Sequence, residues 1–191
     1  MLTREEYSKL ERRQTIHRTL NTILLAVSVV FGGFFVEDKL TPVYEELSGI
    51  TEQKAIESEI DQIADDEGYR PCAYRDSLGL KTIGFGTLIE GQSYDCIGGH
   101  DAIKLLRAHY NIAKESVERR YPWAEGEKKL ILINLSYNMG ETRLAKFEKM
   151  LYNLEQGNID EAAGELLDSR YARQVPNRAG RMAGRIMKLG E

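Results

Sequence analysis

From Leu20 to Val36 the chain reads LNTILLAVSVVFGGFFV, seventeen residues without a charge. A run of that length is near the lower limit for a membrane-spanning helix, so it either crosses a bilayer or is packed inside protein. Arg12, Arg13 and Arg18 stand before it and Glu37 and Asp38 after it. Basic residues crowding one side predict an N-terminus in the cytoplasm and a remainder beyond the membrane. The polar leader is long and no small-x-small site follows the run, which favours an uncleaved signal-anchor over a cleaved signal peptide. Asn21, Thr22, Ser28, Gly32 and Gly33 dilute its apolarity, so the anchor is a weak one. The chain then divides into a leader (1–19), a transmembrane segment (20–36), a tether (37–50) marked by Pro42 and Gly49, and a body (51–191).

The body has room for one ordinary domain with a core of its own. Thr51 is the expected cap of a helix whose stripe Ile56, Ile60, Ile63 ends at Glu67–Gly68, where glycine stops it. KTIGFGTL (81–88) alternates around glycines and predicts a strand of a small antiparallel sheet. Ala102, Leu105, Leu106, Ile112, Ala113 and Val117 recur at helical spacing and predict one long helix from about Gly99 to Arg120. Helices follow over 127–137, 147–154 and 159–167 and after Pro176. The fold class is α+β: a small lobe with a sheet, a connecting helix and an all-helical lobe, with a cleft between lobes as the natural ligand site.

A net charge of -4 does not announce nucleic-acid binding. Arg170, Arg173, Arg178, Arg181, Arg185 and Lys188 nevertheless form a tail without an intervening acid, either a solvated helix face or a surface for an anionic polymer. Cys72 and Cys96 lack metal-ligand spacing, so no zinc site is expected. They are compatible with one disulfide, if the domain reaches an oxidising compartment, or with two buried thiols.

Chemistry concentrates in EGYRPCAYRDSLGLKTIGFG, where Glu67, Asp76 and Thr82 lie nine and six residues apart. Glycoside hydrolysis needs one carboxyl that carries a proton to the leaving oxygen and a second that stays ionised, and this window supplies both beside a hydroxyl. Singly, each residue is more often a helix-end acid, a turn former and a strand residue.

DEGYRPCAYRDSLGLKTIGFGTL resembles the catalytic segment of the phage-type lysozymes, the T-even-like muramidases of glycoside hydrolase family 24. LSYNMGETRLAKFEKML and GNIDEAAGELLDSRYARQVPNRA resemble blocks of the same family's C-terminal lobe, in order and with few gaps. The resemblance covers about residue 52 to the end. It implies a lysozyme-like domain that cuts the β-1,4 bond between N-acetylmuramic acid and N-acetylglucosamine, with no cofactor. Glu67 matches the general acid, Asp76 its acidic partner and Thr82 the hydroxyl that helps position water. Arg178 matches an arginine that pairs with the glutamate, and Leu88, Tyr137 and Asn138 match positions lining the saccharide cleft. Thr87 stands where the T-even protein has histidine, and the segment from Thr82 to Ile97 is shorter, which implies a reduced sheet and an open cleft floor.

A weak anchor before such a domain resembles the signal-anchor-release endolysins, exported by the host translocon and held at the inner membrane until lysis. That architecture implies peptidoglycan as partner, a catalytic domain in the periplasm, no nucleic acid, and a holin whose presence the sequence does not settle. A virion-associated entry lysozyme and a non-catalytic wall-binding protein of the same fold remain the competing readings. No cysteine precedes Cys72, so a thiol switch inside the anchor is unavailable, whereas a Cys72–Cys96 bond would brace the catalytic loop.

Overall fold

The computed structural model describes residues 37–75, 79–89 and 95–191, with side chains from residue 48 onward. The leader and the apolar run 20–36 lie outside the described residues, and so does Asp76. Among the described residues no helix is long and apolar enough to cross a membrane. The chain divides into two compact units, 1–51 and 52–191, and the sheet, the later helices and the core belong to the second.

Helix α1 runs Glu37–Glu67. Residues 37–50 are therefore helical rather than an irregular tether, and Thr51 lies within the helix instead of capping it. Once a helix exists, each added residue gains a backbone hydrogen bond without a new nucleus, and a lone glycine such as Gly49 costs only about 1 kcal/mol. Ile60 and Ile63 are buried and Ile56 packs beside them. The helix stops where expected: Gly68 takes φ 70° and its N–H closes on the Ala64 carbonyl at 3.0 Å.

The sheet has three antiparallel strands in the order β1 (Arg70–Arg75), β2 (Lys81–Gly84), β3 (Thr87–Leu88). The expected single strand over 81–88 is thus a hairpin, turned at Phe85–Gly86 with Gly84 and Gly86 at φ 67° and 78°. Alternation around glycines fits a strand until two of those glycines reverse the chain. Strand β1 is an edge strand and tolerates Pro71, whose carbonyl accepts from Ile97 N at 2.7 Å while Ala73 N donates to Asp95 O at 3.0 Å. Between those two bonds a disulfide joins Cys72 to Cys96.

Helix α2 (Gly99–Arg120) buries Ala102, Leu106, Tyr110, Ala113 and Val117 on one face. Ile112, expected on that stripe, is 65% exposed, because its position falls on the opposite side of the helix. The helical part continues with α3 (Gly126–Met139), α4 (Glu141–Leu144), α5 (Glu148–Gln156), α6 (Ile159–Leu167), α7 (Arg170–Gln174) and α8 (Pro176–Met187). Ile131 through Ser136 of α3 are all buried, the mark of a helix enclosed on every side. Pro176 opens α8, where its missing N–H has no helical partner to lose.

Candidate active site

Three parts of the fold meet at Glu67, and a fourth lies within electrostatic reach of it. The first is the end of α1, which ends in the consecutive acids Asp65, Asp66 and Glu67. The second is α8, where Arg178 is buried although charged. Its Nη2 donates to Glu67 Oε1 at 3.0 Å and its Nε to Asp66 Oδ2 at 3.1 Å. Arg181, one turn further along α8, also pairs with Asp66. One guanidinium thus ties two adjacent carboxylates, and its planar fork fixes the direction from which Glu67 can act.

The third part is the hairpin tip. A Cβ built on Gly86 would stand 3.3 Å from Glu67 Oε2, so the β2–β3 turn passes close enough that a side chain there would crowd the carboxylate. Glu67 is consequently gripped on one oxygen by Arg178 and covered near the other by Gly86. Its side chain remains 24% exposed, enough to reach an incoming ligand.

The fourth part is the C-terminal end of α3, which emerges from the core with Tyr137 and Asn138 half-buried. Burial pushes the Tyr137 phenol up, the Glu67 carboxylate adds to that, and Arg178 opposes it. Tyr137 therefore stays a neutral hydrogen-bonding phenol within electrostatic reach of the acid. Tyr171, buried on α7, is pushed up to about 12, first by burial and then by Asp66 against the pull of Arg178. Met139, Phe147 and Tyr171 line a separate groove of ≈ 780 Å³ whose charged rim is mixed, Arg143, Lys146 and Arg170 alternating with Glu148, Glu165 and Asp168.

Thr82 is 3% exposed, in the middle strand, facing Tyr74 of β1 and Leu88 of β3 in register. Its hydroxyl donates to Leu80 O at 3.2 Å, with Tyr74 O more distant at 3.5 Å. The proton being committed to backbone, the oxygen is left to accept. Leu88 is 46% exposed on the same face of the sheet. Thr87 is buried with its hydroxyl unpartnered. Asp76 lies beyond the end of β1, outside the described residues.

The basic tail has a different role from the one its composition suggested. Arg178 and Arg181 pair with acids of α1, and Arg185 pairs with Glu59 of α1 at 2.9 Å and Glu127 of α3 at 2.6 Å. These arginines hold the acid-bearing helix against the helical core instead of forming a free cationic face. Asp66 and Gly86 were missed in the sequence. Arginines at i, i+3 and i+7 on α8 facing Glu59 and Asp66, seven apart on α1, were the available signal. Among the described residues no group of His, Cys, Asp or Glu is placed to hold a metal ion.

The chain is 27% identical over 151 residues to "Probable T4-type lysozyme 2" of Dictyostelium discoideum and 24% identical over 151 residues to "Probable T4-type lysozyme 1" of the same organism. Each match covers 64% of this chain and 89% of the relative. The family model described as phage lysozyme matches residues 64–184, a span that takes in Glu67, the hairpin, the end of α3 and Arg178. With that match over more than half of its length, the chain belongs to the phage lysozyme family.

Proposed function

We propose that this protein is a muramidase that hydrolyses the β-1,4 bond between N-acetylmuramic acid and N-acetylglucosamine of bacterial peptidoglycan. The observation that carries this reading is the fixed Glu67: a carboxyl on a rigid helix end, oriented by Arg178 and approached closely by Gly86. Glu67 gives its proton to the glycosidic oxygen, the bond from C1 to that oxygen breaks, and positive charge develops at C1. Asp76, as an ionised partner, balances that charge and takes a proton from the attacking water. Thr82 assists by accepting a hydrogen bond from the same water, the only sense its committed hydroxyl allows. Water attack opposite the leaving group inverts the anomeric carbon. Leu88, Tyr137 and Asn138 offer an apolar face, an aromatic ring and an amide to the sugar rings and their N-acetyl groups.

We further propose that the enzyme is an endolysin. The uncharged run 20–36 and its arginine-rich leader support export through the host translocon and retention in the inner membrane, with the catalytic body in the periplasm. The Cys72–Cys96 disulfide supports an oxidising compartment. The full-length protein is expected to clear chloroform-treated Gram-negative cells and Glu67→Gln is not; equal clearing by both would remove Glu67 from the mechanism. On fractionation the chain should first sediment with membranes and move to the soluble periplasmic fraction when the membrane potential is dissipated. Persistent sedimentation after depolarisation would contradict release, and recovery of the chain in purified virions would favour an entry role.

A further inference from the structure

Away from the catalytic pair, Tyr121 and Trp123, in the turn between α2 and α3, meet α5 around an open groove of ≈ 400 Å³. Their rings lie edge to face with centroids 6.1 Å apart. Tyr152 of α5 completes the apolar wall and is 61% exposed, although a tyrosine so placed adds nothing to the core. The polar rim consists of Arg120, Glu148 and Glu155. Arg120 is paired with Glu141 at 3.0 Å, whereas neither Glu148 nor Glu155 has an ion-pair partner among the described residues.

That composition selects a ligand class. Two unpaired carboxylates beside an arginine that shares Glu141 with Arg119 leave this rim without a cationic surplus, which disfavours phosphate, nucleic acid and anionic lipid surfaces. The same carboxylates are acceptors for hydroxyl and amide N–H donors, and flat aromatic rings cover apolar C–H faces. A neutral N-acetylated hexose presents both. Glu148 lines both this groove and the larger one, but the aromatic wall is remote from Glu67's neighbours: Trp123 precedes α3 and Tyr137 lies in its last turn, so helix rise alone separates them by roughly 20 Å.

We propose that the groove between Trp123 and Tyr152 is a second glycan-binding site, which takes N-acetylhexosamine units of the wall polymer and keeps the enzyme on its substrate between cuts. The proposal rests on the muramidase reading for its source of glycan, but its binding step is independent of hydrolysis. Trp123 is the only tryptophan of the chain, so its emission reports on this groove directly.

The test titrates the full-length Glu67→Gln protein with the N-acetylglucosamine tetramer while recording tryptophan emission. A saturable change is expected, weakened about tenfold by Tyr152→Ala, an aromatic contact's worth of affinity. Glu155→Gln should weaken it too, without altering the fold, since both side chains are exposed. With Glu67 intact, Tyr152→Ala should slow digestion of whole sacculi and leave cleavage of short soluble glycan unchanged. Emission that does not respond to the tetramer, or responds equally in Tyr152→Ala and Glu155→Gln, would overturn the proposal. Failure of the parent to hydrolyse sacculi, with the emission change intact, would instead overturn the muramidase reading alone.

Discussion

Replacing Arg178 with leucine removes the guanidinium while keeping most of the stem. Two charge-assisted hydrogen bonds are lost, at 3.0 Å to Glu67 and 3.1 Å to Asp66. Arg178 and Asp66 are about 90% buried, with side-chain exposures of 10% and 11%, so water cannot replace those bonds fully. Breaking a buried pair by deleting one partner costs about 3–5 kcal/mol. Arg181 still holds Asp66, which places the expected loss at the lower end, about 3 kcal/mol. For a domain of this size that lowers Tm by roughly 6–12 °C. Glu67 also loses its orienting contact, and a displacement approaching 1 Å at a reacting group costs up to about 100-fold in rate. Thermal unfolding by circular dichroism and turnover on purified sacculi, measured well below the variant's Tm, separate the two effects. Arg178→Lys should fall between, because an ammonium reaches one carboxylate and not both. A leucine variant that melts with the parent, or that keeps the parent's kcat while folded, would refute a positioning role for Arg178.

Three further outcomes follow from other contacts. Burial pushes the Glu59 carboxyl up from 4.5, against the pull of Arg185 and of the Asn134 amide, so the folded state holds its proton more tightly than the unfolded chain. That contribution to stability is complete below the unfolded value and fades as pH rises through the raised folded one, so parent stability relative to Glu59→Gln should decline with rising pH in denaturant titrations; a rising or flat difference would contradict it. The Cys72–Cys96 bond spans 24 residues, for which chain entropy predicts about 3.5 kcal/mol. Reduction by dithiothreitol should therefore lower Tm by roughly 7–14 °C, and the Cys72→Ser, Cys96→Ser double variant should not respond. Gly86→Ala places a side chain at φ 78° and 3.3 Å from Glu67 Oε2, so it should lose about 1–2 kcal/mol of stability and a larger share of kcat. An unchanged kcat would show that the hairpin does not constrain the acid.

What sequence made legible was local. The stripe of Ile56, Ile60 and Ile63 with its glycine stop placed Glu67 at a helix end, and the bounds of α2 followed from helical spacing. The hairpin was misread because KTIGFGTL alternates like a strand, and only the positive φ of Gly84 and Gly86 reveals the reversal. β1 was not anticipated at all: RPCAYR has no clean alternation, since as an edge strand it is mostly exposed on both faces. The Arg178–Glu67 pair followed from the family resemblance alone; the pairs of Arg178 and Arg181 with Asp66 and of Arg185 with Glu59 cross more than 110 residues, and the matching spacings on the two helices do not by themselves fix which acid meets which arginine. Three of the six cations of that run, Arg178, Arg181 and Arg185, are neutralised by the helix that carries the acid.

The most direct measurement is the chemical identity of the ends released from purified sacculi, read after borohydride reduction. Cleavage by the Glu67-dependent mechanism predicts reduced N-acetylmuramic acid ends that accumulate with the parent and are absent with Glu67→Gln. New N-acetylglucosamine ends, no new reducing ends, or equal release by both proteins would contradict it.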